Sequence, residues 1–384
     1  MKWMSLSWLA LCVVAGCSSE SDGPPGDVHS AVDGDRDGVV QGADAPANVR
    51  LTPSNLPADI CDTPGLTDLN APADTFTDFD TSAPCDALVS QADGLPAICV
   101  RKFANVIVAG KLNLGALPNG NPALAIVATH AMTIDADGFV NAQGPDGSGV
   151  GWGVENRSTG EAPGAPDARG DGGQPPDRNG SGAGHVTHGA GTYGSAYGPT
   201  SGAQLAAGST GGFGMTSDDF SPGYGGEGGK GGAAFQLVSC GTLALSGTVT
   251  SSGGKGATGM SVLHSGGQGG GGGSGGTLLI EAASITGSGA RLLAVGGDGA
   301  DGGYSHRAGD WSVDGMGGTG GKGGTSSTLP EVGQPAPPPS VFYYGGQGGD
   351  GGSIGRIVIN LPQGAPLPQL TADPPPSVGV VATH

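Results

Sequence analysis

The chain has 384 residues, of which 81 are glycine; 5% are aromatic, 13% charged, and the formal net charge is −19. Glycine interrupts every candidate helical window at about 1 kcal/mol each, which excludes a helical protein, and no sustained Gly-X-Y register with proline supports collagen. An acidic chain with only 15 lysines and arginines suits neither nucleic acid nor an anionic membrane, and no GxxxxGK[ST] loop is present to hold a nucleotide.

Residues 1–16, MKWMSLSWLALCVVAG, have a basic start at Lys2 and an apolar core too short to span a bilayer. They read as a secretory signal. The junction Val14-Ala15-Gly16-Cys17 resembles a bacterial lipobox. That resemblance implies a diacylglycerol on the Cys17 thiol, and Ser18 and Ser19 after it favour the outer membrane. The expected address is therefore an outer-membrane lipoprotein, at the cell surface or facing the periplasm.

Residues 17–56 form an acidic tether rich in Gly, Asp and Pro. Inside it, Asp33, Asp35, Asp37, Val39 and Asp44 fall at calcium-loop positions, with Gly38 at the sharp turn. Alternating acids converge on one hard cation in such a loop, so Ca2+ is the one candidate cofactor. The flanks lack helical character and Asp44 stands where glutamate is usual, so a solvated acidic linker competes with this reading.

Residues 57–103 are expected to be an N-terminal cap containing Cys61, Cys85 and Cys99, with Cys240 far downstream. An exported chain oxidises its thiols, and four cysteines allow three pairings. Cys61–Cys85 with Cys99–Cys240 is one arrangement; the spacing does not choose among them.

Alternating strands then begin, at 105–114, 124–128, 132–134 and 138–142. The stretch 275–300, GGTLLIEAASITGSGARLLAVGGDGA, repeats 232–257, GAAFQLVSCGTLALSGTVTSSGGKGA. Phe235 aligns with Leu278, Leu237 with Ile280 and Val249 with Leu292. Ile126 and Ile359 extend the series at unequal spacing, which fits a stack of coils with loops of very different length. The expected fold is all-β: a right-handed single-stranded parallel β-helix over 104–361, with a proline-rich tail at 362–384. The tail is expected either extended against the last coil or loose.

Between the strands lie period-three runs, GGEGGKGG (225–232), GGQGGGGGSGG (266–276), GGTGGKGG (317–324) and GGQGGDGG (345–352). Three residues per turn is the period of an extended polyproline-II-like helix, so these corner loops could bundle as a polyglycine-II-like array. The competing reading is mobile loops, favoured by the entropy cost of ordering glycine. The longest insertion, 144–221, shows no strand pattern.

Candidate chemistry is sparse. A polysaccharide-cleaving site needs clustered carboxylates or a base on neighbouring coils, whereas Glu281 and Arg291 stand on different strands, aligned with Val238 and Thr248. His185 and His188 lack a third metal ligand. The segments 296–301 and 345–350 match only half of a calcium-binding nonapeptide.

The run from Val106 to Gly144, followed by GGxGG loops and GGTLLIEAASITGSG, resembles glycine-rich β-helical surface lipoproteins of myxobacteria-like Gram-negative bacteria. The resemblance covers about residues 61–361 and implies the pectin-lyase-like shape; no catalytic residue carries over. The expected function is a non-enzymatic, lipid-anchored surface protein contacting glycans or matrix proteins. Tyr193, Tyr197, Tyr224, Tyr304, Tyr343 and Tyr344 lie on the loops suited to such contacts. A polysaccharide lyase or hydrolase and a purely structural envelope component are the alternatives.

Overall fold

The structure, a computed structural model, describes residues 50–91, 95–114, 123–147, 182–191, 204–214, 225–263, 266–306, 313–337 and 346–383. Cys17 and the candidate calcium loop at Asp33, Asp35, Asp37, Val39 and Asp44 lie outside the described residues. Residues 45–384 form one compact unit.

After β1 (Leu51–Thr52) the chain alternates between two sheets. A first pair is β2 (Leu69–Ala71) and β3 (Phe76–Asp78), followed by a short β4 (Ala87–Val89). Then come a long and a short strand in turn: β5 (Ile98–Val108) and β6 (Lys111–Asn113), β7 (Ala123–Ile134) and β8 (Phe139–Asn141), β9 (Ala234–Leu245) and β10 (Thr248–Thr250). A small β11 (Val262–Leu263) precedes the pair β12 (Thr277–Thr286) and β13 (Ala290–Leu293). The chain ends with β14 (Ser305–His306), β15 (Val313–Gly315), β16 (Arg356–Leu361), β17 (Leu370–Asp373), β18 (Ser377–Val380) and β19 (Ala382–Thr383).

The long strands build one sheet in the order β18-β16-β12-β9-β7-β5-β2, with β4 antiparallel on β5. The short strands build a second, β17-β13-β10-β8-β6-β3, parallel throughout. These two stacked parallel sheets correct the expected right-handed single-stranded parallel β-helix: the fold is a two-layer sheet structure. Period-2 alternation identifies which residues face a core, but it does not say how many sheets share that core. The register itself follows the sequence repeat, with Leu278 opposite Phe235, Ile280 opposite Leu237, and Leu292 opposite Val249.

Leu278, Ile280 and Ala282 of β12 face the second sheet, where Leu112, Val140, Val249 and Leu292 meet them in the main core. Leu279 of the same strand faces the other way, into a second apolar layer with Val127, Val238 and Val358. That outer layer is covered by residues 51–60 (Leu51, Leu56, Ile60) and by Leu205 and Ala207. A parallel sheet buried on both faces requires near-continuous apolar strands, which explains why β7 opens with Ala-Leu-Ala-Ile-Val-Ala. The turn from β12 to β13 uses Gly287 and Gly289 at φ 110° and 76°, a backbone that a side chain would strain.

Two disulfides form, and the first pins the cover. Cys61 joins Cys240 on β9, and Cys85 joins Cys99 on β5. The arrangement Cys61–Cys85 with Cys99–Cys240 is thereby corrected; only the fold brings Cys61 over the outer face of the long-strand sheet. In the chain-entropy picture, a crosslink across a 179-residue separation restricts the unfolded chain by about 5 kcal/mol, against about 3 kcal/mol for a separation of 14. Residues 362–383, expected as a tail, supply β17 to the short-strand sheet and β18 to the long-strand sheet. β19 then returns to pair antiparallel with β1.

The glycine runs are hydrogen-bonded to one another at every third residue. Gly226, Gly229 and Gly232 donate their N–H groups to the carbonyls of Gln268, Gly271 and Ser274. Gly208, Gly211 and Gly214 donate in the opposite direction to Gly232, Gly229 and Gly226. The run 266–276 is buried along its whole length and bonds to segments around residues 209–212, 226–232, 254–260, 297–303 and 347–353. Glycine is required there by space: a Cβ on Gly229 would lie 2.0 Å from the Gly254 carbonyl oxygen. The run at the centre accordingly has only Gln268, Gly271 and Ser274 at its third positions, while Lys255 and Thr258 at the margin are exposed.

Candidate functional site

Glu281 is fully buried, on the outer face of β12 beneath the covering segment 51–60. Its partners among the described residues are all neutral donors. The Ser54 hydroxyl donates to Oε1 at 2.5 Å, and the Ser54 N–H is shared between Oε1 and Oε2 at 3.2 and 3.1 Å. Asn360 Nδ2 donates to Oε1 at 2.8 Å and Gln236 Nε2 to Oε2 at 2.7 Å. Asn360 Nδ2 also reaches the Ser54 hydroxyl oxygen at 3.1 Å. A carboxylate saturated with donors and roofed by Ser54 acts as a clasp for the covering segment.

The sequence alignment placed Glu281 against Val238, and it does pair with Val238; its polar partners are Asn360, opposite on β16, and Gln236, two residues from Val238 on the same face. Arg291 stands exposed on β13 in the other sheet. Glu281 and Arg291 therefore do not share a site.

The histidines part in the same way. His185 is buried, its Nδ1 lies 2.8 Å from the Gly275 carbonyl oxygen, and His188 is exposed. Burial, with a smaller contribution from the Arg356 charge and against the bond to Gly275, lowers the His185 pKa to about 4. The acids of the half-nonapeptides accept backbone donors: Asp298 from Gly323, Asp301 from Gly320 and Asp350 from Gly333, each at 2.8 Å. Among the described residues no group of three or more His, Cys, Asp or Glu side chains could hold a metal ion. Of the loop tyrosines, Tyr304 lies among the described residues and is partly exposed; Tyr193, Tyr197, Tyr224, Tyr343 and Tyr344 lie outside them.

An open groove of about 500 Å³ lies where the short-strand sheet meets the glycine-rich segments. Its wall is a ladder of polar side chains at equivalent strand ends. Asp78, Asn113 and Asn141 are in register on β3, β6 and β8. Asn141 Nδ2 donates to Asn113 Oδ1, and Asn113 Nδ2 donates to Asp78 Oδ1, both at 3.2 Å. Each amide nitrogen carries two N–H groups, and the ladder uses one of them. Gln143 and Asp146 continue the wall, Pro145 supplies apolar surface, and the buried Phe79 lies behind it. The Asp146 carboxylate is held by the Lys255 N–H at 2.8 Å. On the other flank the Ser82 hydroxyl and N–H hold the Asp80 carboxyl below its usual range and fix the turn carrying Thr81.

Sequence reasoning missed this ladder, although its signal is present: Phe76-Thr77-Asp78, Lys111-Leu112-Asn113 and Phe139-Val140-Asn141 share one pattern. No protein-family model matches the chain, and neither a curated protein nor a solved structure matches it.

Proposed function

We propose that the protein is a non-enzymatic surface protein, anchored in the outer membrane through a lipid on Cys17, that contacts glycans through the groove between the short-strand sheet and the glycine-rich segments. The observation that carries this reading is the amide ladder of Asn113 and Asn141 along an open groove. Planar amides and carboxylates held in fixed orientation, beside some apolar surface, suit sugar hydroxyls and ring faces. Glu281, the carboxylate most suggestive of catalysis, is fully buried and hydrogen-bonded to the covering segment through Ser54. Calcium, if bound at Asp33, Asp35, Asp37, Val39 and Asp44, would serve the tether.

The test is sedimentation with a panel of insoluble polysaccharides, together with an assay for new reducing or unsaturated sugar ends. The full chain carrying Cys17→Ser should bind saturably and release no new ends. Asn113→Ala and Asn141→Ala should each weaken binding several-fold. Release of new ends would replace this reading with the enzyme, and an absence of binding would leave the structural envelope role.

A further inference from the structure

The outer face of the short-strand sheet carries a second row, two residues away from the amide ladder. Phe76, Lys111, Phe139, Thr248, Arg291 and Thr371 stand in register on successive strands. Between the two rows, Leu112, Val140, Val249 and Leu292 point into the core and keep the face flat. Phe76 is 73% exposed and Phe139 is half-buried. The Lys111 ammonium sits 4.6 Å from the centre of the Phe76 ring. Parallel strands are spaced about 4.8 Å apart, so the two phenylalanines, two strands apart, are separated by roughly 10 Å.

We infer that this face and the adjoining groove bind one extended, neutral, β-1,4-linked polysaccharide strand lying across the β-strands. The inference rests on the glycan reading of the groove and adds the linkage, charge and direction of the ligand. A β-1,4-linked pyranose chain is a flat ribbon in which alternate sugars are flipped, and its disaccharide repeat is about the Phe76-to-Phe139 distance set by two strand spacings. Alternate sugars can therefore stack their C–H faces on Phe76 and Phe139. The ribbon edge then meets Asn113 and Asn141, whose hydrogen-bonding groups recur at the strand spacing. An α-1,4-linked glucan coils and does not keep that register. Charge on this surface is mixed, with Asp78 and Asp146 lining the groove and Lys111 and Arg291 exposed in the second row, so a neutral chain meets no net repulsion there and a polyuronate gains no one-signed partner.

The experiment is calorimetric binding of four hexasaccharides to the full chain with Cys17→Ser: cellohexaose, chitohexaose, maltohexaose and oligogalacturonate. The expected result is that the first two bind at least tenfold more tightly than the last two. Phe76→Ala should weaken them roughly fivefold, and Phe76→Trp should restore binding. Phe76 is exposed, so its alanine variant should keep the parent melting temperature, which separates lost stacking from lost folding. Equal binding of all four sugars, preference for the uronate, or an unchanged affinity in Phe76→Ala each overturns the inference. Where Asn141→Ala abolishes binding while Phe76→Ala does not, the groove reading survives and the ribbon does not. Failure of all four to bind overturns the ribbon, and the groove reading falls with it only if the insoluble polysaccharides also fail to sediment the protein.

Discussion

Glu281 shows how far a single residue can mislead when only its aligned neighbour is visible. The repeat set it beside Val238, which suggested a solitary charge; the next strand along sets it beside Asn360. Ser54 comes from a segment whose position no periodicity could announce. Because all the donors around Glu281 point inward, Glu281→Gln turns an amide N–H₂ toward at least one of them. The expected cost is about 2 kcal/mol in urea-induced unfolding, with glycan binding unchanged. A loss of binding without a loss of stability would return Glu281 to the functional site. His185 gives the residue scale a pH dependence. Its folded pKa of about 4 lies below the ordinary 6.5, so the stability tied to its neutral form is complete above about 6.5 and drains away as pH falls toward 4. The loss amounts to about 3 kcal/mol at full protonation. His185→Asn should therefore flatten the unfolding free energy between pH 6.5 and pH 4 relative to the parent; parallel curves would count against it.

At the scale of elements, the strands and the glycine runs obey different rules. The strands were legible because alternation and side-chain identity carry their register, as in Leu237 opposite Ile280 and Ile280 opposite Ile359. The number of sheets was not legible, since a long strand followed by a short one reads the same in a stack of two layers as in a coil of another cross-section. The glycine runs have almost no side chains to read, and their order rests on backbone N–H groups meeting carbonyls of other runs. Gly229→Ala would push a methyl group against the Gly254 carbonyl, 2.0 Å away in the unrelaxed backbone. The expected penalty is about 2 kcal/mol or more, seen as a lowered melting temperature and faster amide exchange at Gly226, Gly229 and Gly232. Lys255→Ala, at an exposed third position, should leave both nearly unchanged.

At the scale of the whole molecule, the two sheets are not equivalent. The first halves of β7, β9 and β12 in the long-strand sheet are buried on both faces, beneath residues 51–60 and 205–207, and this cover is fastened by Glu281 and by Cys61–Cys240. The short-strand sheet keeps an outer face of Phe76, Lys111, Phe139 and Arg291, and the groove opens beside it. The sequence held both halves of this contrast. β7 is apolar at six successive positions, while β6 reads Lys-Leu-Asn. What it could not show was the crossing of the chain over itself, by which Cys61 reaches Cys240 and β1 meets β19. Those contacts join residues far apart in the chain, and in each the partner from the N-terminal segment, Cys61 or β1, lies outside any repeat.

The buried glycine run also bears on how such a molecule can change over generations. Its bonds are made by atoms common to every amino acid, so the side chains at marginal third positions, such as Lys255, Thr258 and Thr319, contribute little to holding the array together. Their letters can drift in size and charge while the frame beneath persists. Lineages carrying this architecture can therefore rewrite what they show to their surroundings without re-solving the problem of folding.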